Sequence, residues 1–412
     1  MPQELPLLAR QPIFNRAMEV VAYELLYRAD HSNTAQFTDG NSASTQVLLN
    51  TFAELSIDKV VGNKRAFINF TAALIETRLP FDTSQLVVEL LENEVINAHL
   101  LHNLKSLYEE GFTIALDDFV LSEASVALIP YADIIKLDVL ALTDSQLMAH
   151  VNYLKPLGVQ LVAEKIETFE MLDHCLALGF DMFQGYFLEK PKLIKGQRLS
   201  ENKQAVLQLL AQLNDPEAAF EDIEEIIARD PVLSYKLLRL VNSAAFALPR
   251  TIESLRQALT LLGLTIIRNW IGLLAMAKLD DKPAELSAKT LIRAKMCELI
   301  ASQTRARTDC DTFFTAGLLS TLGAFMDTPL IEVIDTIKLS TALRDALLER
   351  KGAEGKVLQC VIHYEHGEWG QIDWHYLAGQ QLNPHSLSAL YMQTLQWVDA
   401  TMASLQPDLE SA

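Results

Sequence analysis

Basic residues are scarce in this sequence. Its 34 Lys and Arg stand against 53 Asp and Glu, a formal net charge of −19. Neutralising a nucleic-acid backbone takes clustered cations, so a broad basic surface for DNA or RNA is excluded. Charge leaves open a small phosphodiester held through metal ions, and the acid surplus otherwise serves solubility. Cysteine is scarce too. Cys175, Cys297, Cys310 and Cys360 form no CxxC pair, and their spacing fits neither a zinc site nor a disulfide framework. No run reaches the roughly 18 uncharged apolar residues that a bilayer-spanning helix needs. The opening MPQELPLLARQPIF has neither the basic flank nor the long apolar stretch of a signal peptide. These absences predict a soluble, cytoplasmic protein without a membrane span.

What the chain has is length and hydrophobic residues. Its 412 residues are 50% hydrophobic, which predicts two domains with a core in each. In the first half, β-rich runs at 6–14, 20–28, 66–70, 86–92, 112–119, 134–138, 160–166 and 182–187 alternate with helical patterns such as 43–55 and 96–111. Strands alternating with helices imply βα units and a mostly parallel sheet, here a TIM-like barrel. Beyond residue 200 long amphipathic helices take over. Asp230-Pro231, and Asp215-Pro216 one helix earlier, read as N-cap and first helical residue. Leu237, Leu238 and Val241 recur at helical spacing, and 271–279 reads as a buried helix. The Pro/Gly/Lys stretch 191–200 marks the boundary. The expected organisation is an α/β barrel over 1–195 and an all-α domain over 196–412.

Acid and amide side chains recur at the ends of successive strands: Glu24, Asn69, Glu89, Asp117 with Asp118, Asp138, Glu164 and Gln184. In a parallel barrel these ends meet on one face, where active sites form. Any one acid is more often a helix cap or a solvated loop residue than a ligand. That bland reading does not predict the recurrence from strand to strand. Carboxylate and amide oxygens suit Mg²⁺ or Mn²⁺, and such a cluster stays ionised only with cations to compensate it. Two metal ions would grip a phosphate and activate water, with Lys136 adding positive charge.

These residues sit in motifs that resemble the EAL family. The segment 24-ELLYR-28 is similar to the EAL signature, with Leu25 in place of its alanine. The others follow in the family's order: 10-RQPIF-14, 69-NFT-71, 89-ELLE-92, 117-DDF-119, 136-KLD-138, 163-AEKIET-168 and 184-QGYFLEKP-191. The resemblance implies a barrel that hydrolyses cyclic di-GMP to linear pGpG with two divalent metals. It implies Glu24, Asn69, Glu89, Asp117 and Asp118 as metal ligands, with Gln184 supporting the metal-water shell. Lys136 and Glu164 would act on the attacking water, and Gln11 and Arg28 would contact the dinucleotide. Glu92 corresponds to the family's loop anchor. Two departures stand out. The glycine-rich loop expected after 117-DDF-119 is replaced by 120-VLSEASVALIP-130, and Lys165 stands where the family has glycine after the key glutamate.

The second half resembles the HDOD domain, a helical relative of HD phosphohydrolases, through 230-DPVLSYKLLRLVNSAAF-246, 255-LRQALTLLG-263, 267-IRNW-270 and 313-FFTAGLLSTLG-323. HD hydrolases carry a metal-binding His-Asp pair where this chain has Ser320-Thr321. Hydroxyls bind such metals far more weakly, so this half is expected to bind a protein partner rather than to catalyse. His363 and His366 have ligand spacing but read better as an ordinary surface or core pair. Trp270, Trp369, Trp374 and Trp397 read as packing residues first and interface residues second. The resemblance as a whole implies a cyclic di-GMP signalling protein of the kind that governs motility and biofilm. Two readings stand: a phosphodiesterase, or an inactive barrel acting as sensor or scaffold. Whether the chain forms a homodimer stays open.

Overall fold

The computed structural model describes residues 6–28, 57–76, 82–192, 200–215, 217–243, 246, 248–279, 281–304 and 310–405. The expected helix at 43–55 and most of the boundary stretch lie outside them. The chain divides into two compact units. One is Met1–Phe187 with Glu365–Gly370, and the other is Leu188–Tyr364 with Gln371–Ala412.

The first unit is a closed eight-stranded barrel whose strands follow one another in chain order. They are β1 (Leu7–Asn15), β2 (Val20–Arg28), β3 (Arg65–Phe70), β4 (Leu86–Leu90), β5 (Thr113–Leu116), β6 (Ile134–Asp138), β7 (Gln160–Ile166) and β8 (Met182–Gly185). All neighbours run parallel except β1, which is antiparallel to both β2 and β8. The reason is connection length. Only residues 16–19 separate β1 from β2, whereas a parallel pair needs a crossover of a dozen or more. The hairpin closes with Asn15 N–H donating to the Glu19 carbonyl at 2.9 Å, and Met18 takes φ 62°.

Three expected strands end early. Those predicted to reach Glu92, Phe119 and Phe187 stop at Leu90, Leu116 and Gly185. The chain turns away at the barrel mouth, with left-handed backbone at Asp118 (φ 40°) and φ 150° at Gly185. Helices α1 (Ala98–Glu109), α2 (Asp144–Leu154) and α3 (Phe169–Leu178) are capped by Asn97, Thr143 and Thr168, each accepting backbone N–H groups. On α1 the buried face is Leu100, Leu104 and Leu107, the helical repeat the sequence carries there.

The barrel interior is built in layers. Ile13, Ala22, Phe67, Val87, Ala115, Ile134, Val162 and Met182, one from each strand, form one buried apolar cluster. Burying each larger member contributes about 1.5–3 kcal/mol.

The second unit is helical, and no single described helix is long and apolar enough to cross a membrane. Asp230 caps Pro231–Val241 by accepting from Leu233 N–H at 2.9 Å, as its sequence predicts. Asp215 does not cap a helix, and Pro216 lies outside the described residues. Asp215 accepts from Glu217 N–H at 3.0 Å in a turn, and the helix begins at Phe220. Leu264–Met276 buries Asn269 to Met276 without a break, so 271–276 is core, whereas Ala277 is exposed and Lys278 half-buried. The central pair is Ala284–Gln303 against Cys310–Leu319. They touch backbone to backbone at Gly317, where a Cβ would lie 2.5 Å from Ala294 Cα. Backbone cannot yield as a flexible side chain can. Gly317→Ala should therefore destabilise the protein by about 1–3 kcal/mol, read as a lower midpoint in denaturant unfolding.

Candidate active site

Successive residues of a strand point to opposite faces, so residues two apart share one. Two positions from the apolar layer, towards the mouth, stand Gln11, Glu24, Asn69, Glu89, Asp117, Lys136, Glu164 and Gln184. Every strand contributes one, Asp117 from the position just after β5. On the reversed β1 the step runs backwards, from Ile13 to Gln11, and Gln11 lies opposite Glu24 in register. The fold thus sets a polar ring directly above an apolar one.

At its centre is Lys136, whose residue is 0% exposed. Its ammonium lies 2.7 Å from Glu164 Oε1, 3.0 Å from Asp117 Oδ1 and 3.2 Å from Glu24 Oε2, and it also contacts Glu89 Oε1. Gln184 Nε2 donates to Glu24 Oε2 at 2.6 Å and to Gln11 Oε1 at 3.0 Å. Asn69 Nδ2 approaches Glu24 Oε1 at 3.4 Å. One ammonium faces four carboxylates, and the proton affinities respond. Burial drives Glu89 well above the ordinary carboxylate value, with neighbouring acids adding and Lys136 opposing. Burial likewise lifts Glu164 to about 8. Burial would also raise Asp117, but Lys136 outweighs it and holds that group low. Burial alone would lower Lys136, yet the four carboxylates hold it well above its ordinary value.

Four buried oxygens of this ring have no hydrogen-bond partner: Asn69 Oδ1, Glu89 Oε2, Glu164 Oε2 and Gln184 Oε1. Leaving such atoms unpaired is costly, and hard cations satisfy them. The acids fall into two triads, Glu24–Glu89–Glu164 and Glu92–Asp117–Asp118, each with ligand atoms within 4.8 Å of one another. The oxygen-only donor set therefore fits Mg²⁺ or Mn²⁺. Glu92, read from sequence as a loop anchor, lies beside Asp117 and Asp118, and its Oε1 accepts from Asn93 Nδ2 at 2.6 Å. Arg28 closes β2 half-buried, four residues beyond Glu24 and on the same strand face.

The glycine-free loop after Phe119 is held by side chains that sequence reasoning passed over. Ser125 Oγ donates to the Val120 carbonyl at 2.7 Å and accepts from Ser122 N–H at 2.9 Å. His150, buried on α2, accepts from Leu121 N–H through Nε2 at 3.0 Å and bonds the Gln146 carbonyl through Nδ1 at 2.7 Å. Serines capping their neighbours were the available signal. The sequence marks Lys165 only as a replacement for the family's glycine. It takes φ 57°, and its ammonium reaches Asp118 at 3.0 and 3.1 Å and Asp138 at 2.6 Å.

In the helical unit, Thr321 is buried and its hydroxyl lies 2.7 Å from that of Thr290. Arg293, also buried, donates to Ser320 Oγ at 3.3 Å and to Glu189 at 2.6 Å. The Arg293 guanidinium thus puts positive charge beside the Ser320 hydroxyl, which disfavours a cation there. His363 is half-buried on Gly352–Glu365, and the ring of His366, in the first unit, stacks on Tyr186 at 3.9 Å. Among the described residues, no His joins a group able to hold a metal. Trp270 packs with Phe246, Phe314 and Trp397 in one aromatic cluster.

Comparison with known proteins matches residues 35–191 to the EAL domain and 199–371 to the HDOD domain. The EAL match begins after β2, so Gln11 and Glu24 fall outside it. The YuxH protein of Bacillus subtilis is 34% identical over 400 residues, 94% of this chain and 97% of its own. Cyclic di-GMP phosphodiesterase CdgJ of Vibrio cholerae is 32% identical over 375 residues, 90% of this chain and 87% of its own. Among solved structures, a calcium and cyclic di-GMP complex of Klebsiella pneumoniae BlrP1 covers 45% of this chain and 56% of that one, at 23% identity and TM-score 0.36. With two domain models in tandem and relatives aligned across nearly their whole length, this chain belongs to the EAL–HDOD family.

Proposed function

We propose that the barrel hydrolyses cyclic di-GMP to linear pGpG with two divalent cations, Mg²⁺ or Mn²⁺, and that the HDOD half couples this to a protein partner. The observation that carries the reading is the complete polar ring, in which four buried oxygens have no hydrogen-bond partner and suit a hard cation. Relatives named as cyclic di-GMP phosphodiesterases support the substrate. Glu24, Asn69, Glu89 and Asp117 would hold one cation, Asp117, Asp118 and Glu92 the other, and Gln184 would orient the water shell. Bound divalent cations supply positive charge to the phosphate and make water a better nucleophile.

The chain's own groups do the rest. Lys136 presents fixed positive charge where phosphate oxygens gain negative charge. Glu164, with proton affinity near neutral, takes a proton from the attacking water. Water adds to phosphorus, one ester P–O bond breaks, and the departing oxygen is protonated. One phosphodiester of the ring opens and the other remains. Gln11 and Arg28 would meet the dinucleotide at the mouth. A second reading, a sensor that binds without turnover, is favoured by one observation: Lys165 already pairs with Asp118. For the helical half, Arg293 beside Ser320 supports binding rather than metal catalysis.

Labelled cyclic di-GMP incubated with Mg²⁺ or Mn²⁺ should yield pGpG. Glu164→Ala should lower kcat by about 10²–10⁴-fold, the range for losing a general base. Substrate left whole by the wild type after long incubation with either metal would leave only the sensor.

Acidity gives a second test. Glu164 is lifted from 4.5 to about 8, and Glu89 shifts the same way. A raised carboxyl contributes stability below its ordinary value and loses it as pH rises through the folded value. Metal-stripped protein should therefore melt at lower temperature as pH climbs from about 5 to 8.5. Mn²⁺ must displace those protons, so it should raise Tm more near pH 8.5 than near pH 6. Equal stabilisation at both would contradict the ligand assignment.

A further inference from the structure

We infer that Lys165 is a tethered counter-cation that holds Asp118 in place of the second divalent cation, so that the two cation positions fill with unequal affinity. This rests on the two-cation reading above. Three observations carry it. Lys165 adopts φ 57°, and the β7–β8 register shifts between Ala163 and Ile166. That irregularity lets the residue after Glu164 reach across the mouth rather than lie along the strand. Its ammonium then engages both oxygens of Asp118, at 3.1 and 3.0 Å, and Asp138 Oδ2 at 2.6 Å. Asp118 belongs to the outer triad with Glu92 and Asp117.

The two triads differ in what they have left to offer. The inner one also touches an ammonium, that of Lys136, but keeps Glu89 Oε2 and Glu164 Oε2 unpaired, beside Asn69 Oδ1 and Gln184 Oε1. Asp118 has given both oxygens to Lys165. A divalent ion entering the outer position must displace an ammonium, and one entering the inner position finds open lone pairs. Lys165 is also the more movable cation, since its side chain is 47% exposed and that of Lys136 only 1%. It can swing into solvent when a better cation arrives, which makes occupancy of the outer position conditional.

Mn²⁺ titration of the metal-stripped full-length protein, followed by calorimetry and by the loss of the free-ion paramagnetic resonance signal, tests this without substrate. The wild type should show one tight and one weak class of site. Lys165→Met should tighten the weak class by about tenfold, the scale of one screened charge contact, and leave the tight class unchanged. Lys165→Arg should retain the weak class. Lys165→Gly relieves the left-handed backbone and should behave as Lys165→Met. Two equal sites in the wild type, or equal shifts in the Met and Arg variants, would overturn the inference. If cyclic di-GMP is still cleaved in that case, the proposed hydrolysis survives and only the role of Lys165 falls. No Mn²⁺ bound by any of these proteins would overturn both.

Discussion

The barrel's chemistry depends on one buried ammonium. Lys136 is the point at which carboxylates from four other strands are neutralised. Removing one partner from a buried ion pair typically costs about 3–5 kcal/mol, because the remaining charge is stranded. Here several charges would be stranded together. Even with Lys136 in place, burial, with the neighbouring acids adding to it, raises the proton affinity of Glu89 and Glu164. A pocket that holds protons on carboxylates near neutrality is one that exchanges them for a metal ion.

That arrangement follows from the pleat. A one-residue slip in any strand would turn its ring residue away from the lumen. The apolar layer beneath resists such slips, because Phe67 or Val87 would have to leave the core with it. Packing and chemistry therefore protect the same register. β1 shows how strictly the rule acts. Its direction is reversed by a short hairpin, and its contribution comes from Gln11, before the layer residue Ile13 rather than after it.

Much of this is legible in the sequence, because acid and amide residues recur at the ends of successive β-rich runs, within motifs that resemble the EAL family. Glu24, Asn69, Glu89, Asp117, Glu164 and Gln184 are readable on that basis, and Lys136 from the motif that holds it. The antiparallel start was not drawn from the pattern, although the short link at 16–19 carried the information. The hold on the loop after Phe119 depends on His150 accepting from Leu121 N–H across 29 positions of chain, which periodicity cannot encode. The reach of Lys165 to Asp118 depends on a left-handed residue in a strand, a conformation that local preference argues against. Asp215-Pro216 misled because the same dipeptide serves a turn as well as a helix start.

The two halves treat inherited polar sites in opposite ways. In the helical unit the positions of a metal pair carry Ser320 and Thr321, and their hydroxyls are consumed by Arg293 and Thr290. Both hydroxyls have partners within the protein fold. In the barrel the acids persist, four oxygens stay unpaired, and cations of the chain itself stand among them. A site being lost to chemistry would be expected to satisfy its own polar groups first, since unpaired buried atoms are a standing cost. The helical unit has done so. The barrel has not, and the unmet demand of Asn69, Glu89, Glu164 and Gln184 is the physical reason to look for its cations there.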